Sequence, residues 1–134
     1  MKYRFVEKLN EFLNSAGRSD LVNPQLDCHS NIQLEMHNAP AINIDLSSDD
    51  LIIWCELMEC NYSRLDASNA LVLKSILEYV PRNFHPGQPA LNIMDNNLVL
   101  SAVLKSASLD DMQLFADSFE EFFDRINELR LQLS

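Results

Sequence analysis

The sequence predicts an α/β fold of the α+β kind, ordered helix, three strands, helix, two strands, helix, with a twisted antiparallel sheet flanked by helices. Three observations carry this. Polar and apolar residues alternate from Cys28 to Met36 and again from Ala41 to Ser47, and a third, mostly apolar run, Leu51 to Leu57, follows a turn cluster. Such alternation marks half-buried strands, because successive side chains point to opposite faces. A second alternating pair surrounds Asp95-Asn96, a tight-turn sequence between strands. Finally, residues 2–16, 65–80 and 108–133 carry apolar residues at the three- and four-residue spacing of amphipathic helices.

In the first helix Phe5, Leu9, Phe12, Leu13 and Ala16 share a face, with Val6 beside them, and Gly17 suits the C-terminal cap. The stripe fits packing on a sheet, yet Phe5, Leu9 and Phe12 are also candidates for contact with a bound polypeptide. Residues 18–27 read as a loop, with Pro24 breaking any helix.

Asn38-Ala39-Pro40 and Ser47-Ser48-Asp49-Asp50 are the turns of the three-strand meander. Around the second turn Leu46 should face Leu51, Ile44 should face Ile53 and Ile42 should face Cys55. With Ile32, Leu34, Met36 and Leu57 these form one apolar face. Ile52 and Trp54 then fall on the polar face beside Asn43 and Asp45. A Trp and an Ile there need cover, from the chain's own helix, a second subunit or another polypeptide.

This meander, reading DCHSNIQLEM, PAINIDL and LIIWCEL in order, resembles the class I type III secretion chaperones, and most of all the multi-effector subgroup around invasion protein B. Those share an Asp-x-His-Ser, Pro-x-Ile-x-Ile and Ile-Trp pattern. The match is close over residues 26–57 and extends elsewhere by length and element order. The resemblance implies a homodimer in the bacterial cytoplasm. It implies binding to the N-terminal, non-globular chaperone-binding segments of several effectors. It also implies their delivery to the export apparatus, including its ATPase, with no nucleotide hydrolysed by the chaperone.

The second helix carries Leu65, Ala70, Leu73, Ile76, Leu77 and Val80 broadly on one side, with Leu71 and Val72 widening the apolar arc, and Pro81 stops it. So wide an arc calls for burial on more than one side, and a second subunit is a natural cover. In the later hairpin, Ile93 should pair with Leu98 and Leu91 with Leu100, leaving Val99 and Val103 on the other face. Dimer contacts are therefore expected at Leu71, Leu73, Ile76, Leu77 and Val80, with Val99 and Val103 nearby, and client contacts at Phe5, Leu9, Phe12, Ile52 and Trp54. The last helix should run from Ser108 to Leu133, with Ser108 and Asp111 as a capping box. Its residues Met112, Phe115, Phe119, Phe122, Ile126, Leu129 and Leu133 form a seam, read as a core helix along the sheet, with a coiled coil as the alternative.

The chain's 134 residues are enough for one domain, 1–134, with a modest core. Twenty acidic against 10 basic residues give a net charge of −10. That argues against nucleic acid and against an anionic membrane surface, both of which attract clustered Lys and Arg. Three cysteines leave at least one unpaired, which fits a reducing compartment. The N-terminus carries acidic residues within its apolar pattern, unlike a signal peptide. No apolar run approaches the ~20 residues of a membrane span, so no insertion is expected.

Catalytic chemistry finds little support. Cys28 and His29 are strand neighbours pointing to opposite faces, so they cannot form a dyad. His29 and His37 lie about 26 Å apart along an extended strand. His85 has no ligand pattern near it, and Cys55 and Cys60 lack zinc spacing. With only Gly17 and Gly87, no usual phosphate loop is available. Asp49-Asp50 and Asp110-Asp111 suit a turn and a helix start. The expectation is a binding protein with no catalytic, cofactor or metal residues. The alternatives are a dimeric adaptor or regulator of secretion and, more remotely, a small Cys/His enzyme.

Overall fold

The computed structural model describes residues 2–15, 17, 31–34, 39–45 and 50–134, with backbone alone for residues 2–6 and 31. Its elements are α1 (Lys2–Ser15), β1 (Asn31–Leu34), β2 (Ile42–Asp45), β3 (Ile52–Glu59), α2 (Tyr62–Glu78), β4 (Ala90–Met94), β5 (Asn97–Val103) and α3 (Met112–Leu133). That is the predicted order. The strands form one antiparallel sheet in the order β1-β2-β3-β5-β4.

The alternating sequence sets the register. Ile44 pairs with both Ile32 and Ile53, as its place on the shared apolar face requires. Leu91 pairs with Leu100 and Ile93 with Leu98 across a tight turn, where Asp95 and Asn96 adopt φ of 50° and 67°. Asp and Asn tolerate this left-handed backbone better than other non-glycine residues. The expected Leu46 pairing lies outside the described residues, as do Cys28, His29, Met36, His37 and Asp49.

One departure from alternation redirects side chains. The register between β3 and β5 slips between Glu56 and Met58. The extra residue is a β-bulge, which re-aims the residues after it. Leu57 is buried, and Met58 turns back toward the core instead of alternating outward.

The helical layer covers one sheet face. α3 lies against β3, and α1 and α2 both pack on α3. The α3 seam is spent inside the chain: Phe115, Phe119, Phe122, Ile126, Leu129 and Leu133 are at most 5% exposed. They join Ile44, Ile53, Cys55 and Leu100 of the sheet in one core. The core-helix reading therefore holds over the coiled coil.

The helix starts differ from expectation. α3 is preceded by a 3-10 turn, Ser106–Leu109, and its cap is Asp111, whose carboxylate accepts from the Gln113 N–H at 2.8 Å. Ser108 is not the cap: it is buried, with its hydroxyl 3.2 Å from that of Ser118. α2 starts three residues early because Asn61 caps it, accepting from the Arg64 N–H at 3.0 Å. Gly17 closes α1 at φ +76°, its N–H donating to the Asn14 carbonyl at 3.2 Å.

Candidate binding surfaces

Cross-strand partners share a face, so the pairing decides what the outer side of the sheet displays. Trp54 stands between Asn43 and Ser101, Ile52 between Asp45 and Val103, and Val99 between Glu56 and Asn92. Among the described residues, no helix covers this side. Ile52, Trp54 and Val103 are half-buried and Val99 is 6% exposed. Val99 nonetheless stands apart from the helix-side core. Around Trp54 the surface sinks into a concavity of ≈ 330 Å³ lined by Ile52, Trp54, Met94 and Val99, with Asp45, Glu56 and Asp95 at its border.

A second apolar surface lies on α2. The helix faces α3 with small residues, since Ser68, Val72 and Ser75 are its buried ones. Its larger side chains are left outward: Leu71 is 59% exposed, Leu73 57%, Ile76 46% and Leu77 74%, and Val80, two residues past the helix end, is 78% exposed. This resolves the wide apolar arc read from the sequence, with a narrow buried stripe and an uncovered majority.

The grouping of Val99 and Val103 with α2 needs correction. Both belong to the sheet face of Trp54, opposite the helices, because β5 presents its odd-numbered residues there. The first helix needs one as well. Leu9 is 1% exposed and sits in the core, so it offers no open surface. Phe12 is half-buried, its ring centroid 5.7 Å from those of both Phe115 and Phe119. It closes one end of the aromatic cluster and keeps only an edge in solvent. The Phe5 side chain lies outside the described residues.

A polar network fixes α2 in place. Tyr79 donates its hydroxyl to Glu121 of α3. The same carboxylate accepts the N–H groups of Arg82 at 3.0 Å and Asn83 at 2.9 Å, and the Asn83 side-chain amide at 2.9 Å. Burial alone would raise the pKa of Glu121, but these four bonds outweigh it and hold the carboxyl below its ordinary range. Burial, reinforced by the bond to Glu121, pushes the Tyr79 phenol up. Beside them Arg125, 3% exposed, donates to the Ser75 hydroxyl at 2.6 Å and pairs with Glu128 at 3.2 Å.

The arrangement performs no evident bond chemistry. Burial pushes the Cys55 thiol up to about 12, although Arg130 pulls the other way. A thiol so protonated is a packing group, not a nucleophile. Cys60 is buried too, and both are unbridged. Among the described residues, no cluster of His, Cys, Asp and Glu is placed to hold a metal ion, and no helix is long and apolar enough to cross a membrane.

Sequence reasoning missed Met94, Glu56 and Asp95 as neighbours of Trp54. The β3–β5 pairing that assembles them joins strands separated by a whole helix and hairpin, and no local signal announces it. Once β5 is set beside β3, alternation gives the rest.

Comparison with known proteins agrees with this architecture. A chain from the heterodimeric complex ExoU-SpcU of the type III secretion system of Pseudomonas aeruginosa has a similar structure. Its TM-score is 0.60 at 20% identity, over 93% of each chain. At that identity the likeness speaks for the fold. The model of the invasion protein B family matches residues 17–95. With most of its length inside that match, the chain belongs to the invasion protein B family of type III secretion chaperones, which bind and do not catalyse.

Proposed function

We propose that this chaperone binds the N-terminal chaperone-binding segments of several effector proteins in the bacterial cytoplasm. It keeps them non-globular and hands them to the export apparatus through the secretion ATPase. It acts as a single domain over residues 1–134 and as a homodimer. The dimer forms through Leu71, Leu73, Ile76, Leu77 and Val80. Clients dock on Ile52 and Trp54 of the outer sheet face and, in the helical layer, on the exposed edge of Phe12, with Phe5 as a further client contact.

The observation that carries this reading is the large apolar area left outside a complete core, with Leu77 74% and Val80 78% exposed. A stable monomer gains nothing from such residues, whereas an interface does. The structurally similar chain comes from a heterodimeric complex of a type III secretion system, which supports an effector as partner.

Holding a segment extended costs about 1–2 kcal/mol of conformational entropy per residue. At about 25 cal/mol per Å² of apolar surface buried, each ordered residue must bury about 40–80 Å² to break even. One sheet face cannot supply that over a long segment. A client wound over both copies of a dimer draws on twice the surface.

Co-expression tests the reading. Effectors produced with this chain should stay soluble and co-purify through their N-terminal regions, and deleting those regions should abolish capture. Capture that survives the deletion, or no capture by the wild-type protein, would contradict it.

A further inference from the structure

The concavity around Trp54 has a chemical character beyond being apolar. Its floor is Ile52, Trp54, Met94 and Val99, while Asp45, Glu56 and Asp95 border it, and among the described residues no basic one lines it. We propose that it seats one apolar side chain of a client polypeptide whose flanking residues are Lys or Arg. This rests on the chaperone function proposed above and adds which client segments fit.

Size is the first argument. At ≈ 330 Å³ the concavity is at the small end of the range for binding pockets, about 300–1,000 Å³, so it takes a compact group and not a folded surface. Charge is the second. Any partner covering the floor brings its own groups against carboxylates, where like charge is repelled and unlike charge gains. Aromatic chemistry adds a third, since among side chains a Trp ring attracts a guanidinium or ammonium best. A second copy of the chain is the poorer occupant, because 20 acidic residues against 10 basic give it charge of the same sign.

Trp54 is the chain's only tryptophan, so its fluorescence reports on this site alone. Two synthetic peptides with the same central Leu, one flanked by Lys and one by Glu, would be titrated into the full-length protein. The Lys-flanked peptide should bind about fivefold or more tightly at low salt, with the gap narrowing as ionic strength rises. Glu56→Gln with Asp95→Asn, both exposed positions that leave the core untouched, should remove most of that preference. Equal affinities, a preference that survives the double substitution, or no binding of the Lys-flanked peptide would overturn the proposal. So would a Trp54 signal that tracks protein concentration without peptide, which marks a second copy as the occupant. If effectors are still captured on co-expression while the peptides are not discriminated, the acidic border fails and the chaperone reading stands. If capture is absent too, both fall.

Discussion

The guanidinium of Arg125 lies 4.4 Å from the centre of the Tyr79 ring. This cation is 3% exposed, so its stability depends on the groups around it. Tyr79, Ser75 and Glu128 are those groups, and two of them belong to the end of α2. The outward leucines of α2 are thus aimed by a polar anchor behind them. Arg125→Ala should destabilise the fold by about 2–3 kcal/mol, through the lost contacts and the orphaned Ser75 hydroxyl. Urea unfolding checks this, and a loss under about 0.5 kcal/mol would show that Arg125 anchors nothing.

Glu121 makes stability depend on acid. Its folded pKa lies below the ordinary 4.5 of the unfolded chain. Its contribution is therefore present above about pH 4.5 and is lost as pH falls through the folded value. Glu121→Gln replaces one carboxylate oxygen with an NH2, set against either the Arg82 N–H at Oε2 or the Asn83 N–H groups at Oε1, and should cost about 2 kcal/mol at neutral pH. The gap between variant and wild type should shrink in urea titrations taken below pH 4.5. A gap that stays constant from pH 7 to pH 3 would show that the carboxylate charge is not the source.

Substitutions on the outer side of α2 should separate assembly from folding. Leu77→Glu with Val80→Glu introduces charges where the side chains are 74% and 78% exposed, so the protomer should keep its helical circular dichroism. The wild-type protein should sediment as a dimer and the variant as a monomer at micromolar concentration. A variant that remains dimeric would move the interface off α2.

The two aromatic candidates for client contact should behave differently. Trp54→Asp alters the outer sheet face and should weaken effector capture at least tenfold with little loss of stability. Phe12→Asp removes a ring packed on Phe115 and Phe119, so it should lower stability by about 3 kcal/mol or more as well. Equal unfolding midpoints for these two variants would contradict the placement of Phe12 in the aromatic cluster.

Local periodicity made much of this fold legible. Alternation through Ile42 and Ile44 fixed both the strand and its core face, and the Asp95-Asn96 turn fixed a hairpin register to the residue. Three kinds of information were not local. The bulge at Leu57 is dictated by pairing with β5, which the sequence of β3 alone does not reveal. The burial of Leu9 depends on how α1 lands on α3, and an amphipathic stripe looks the same whether a helix or a client covers it. In α2 the side facing α3 is lined by Ser68, Val72 and Ser75, small residues that apolar counting passes over, while the conspicuous leucines point away.

The chaperone role requires that apolar surface outside the core grip an unfolded segment of an exported protein. Hydrogen exchange on a co-purified effector complex tests this most directly. Slowed exchange is expected in β3 and its neighbours β2 and β5 around Trp54, and along an N-terminal stretch of the effector that exchanges freely when alone. Protection confined to a folded effector domain, with the Trp54 strands unchanged between free and bound chaperone, would contradict it.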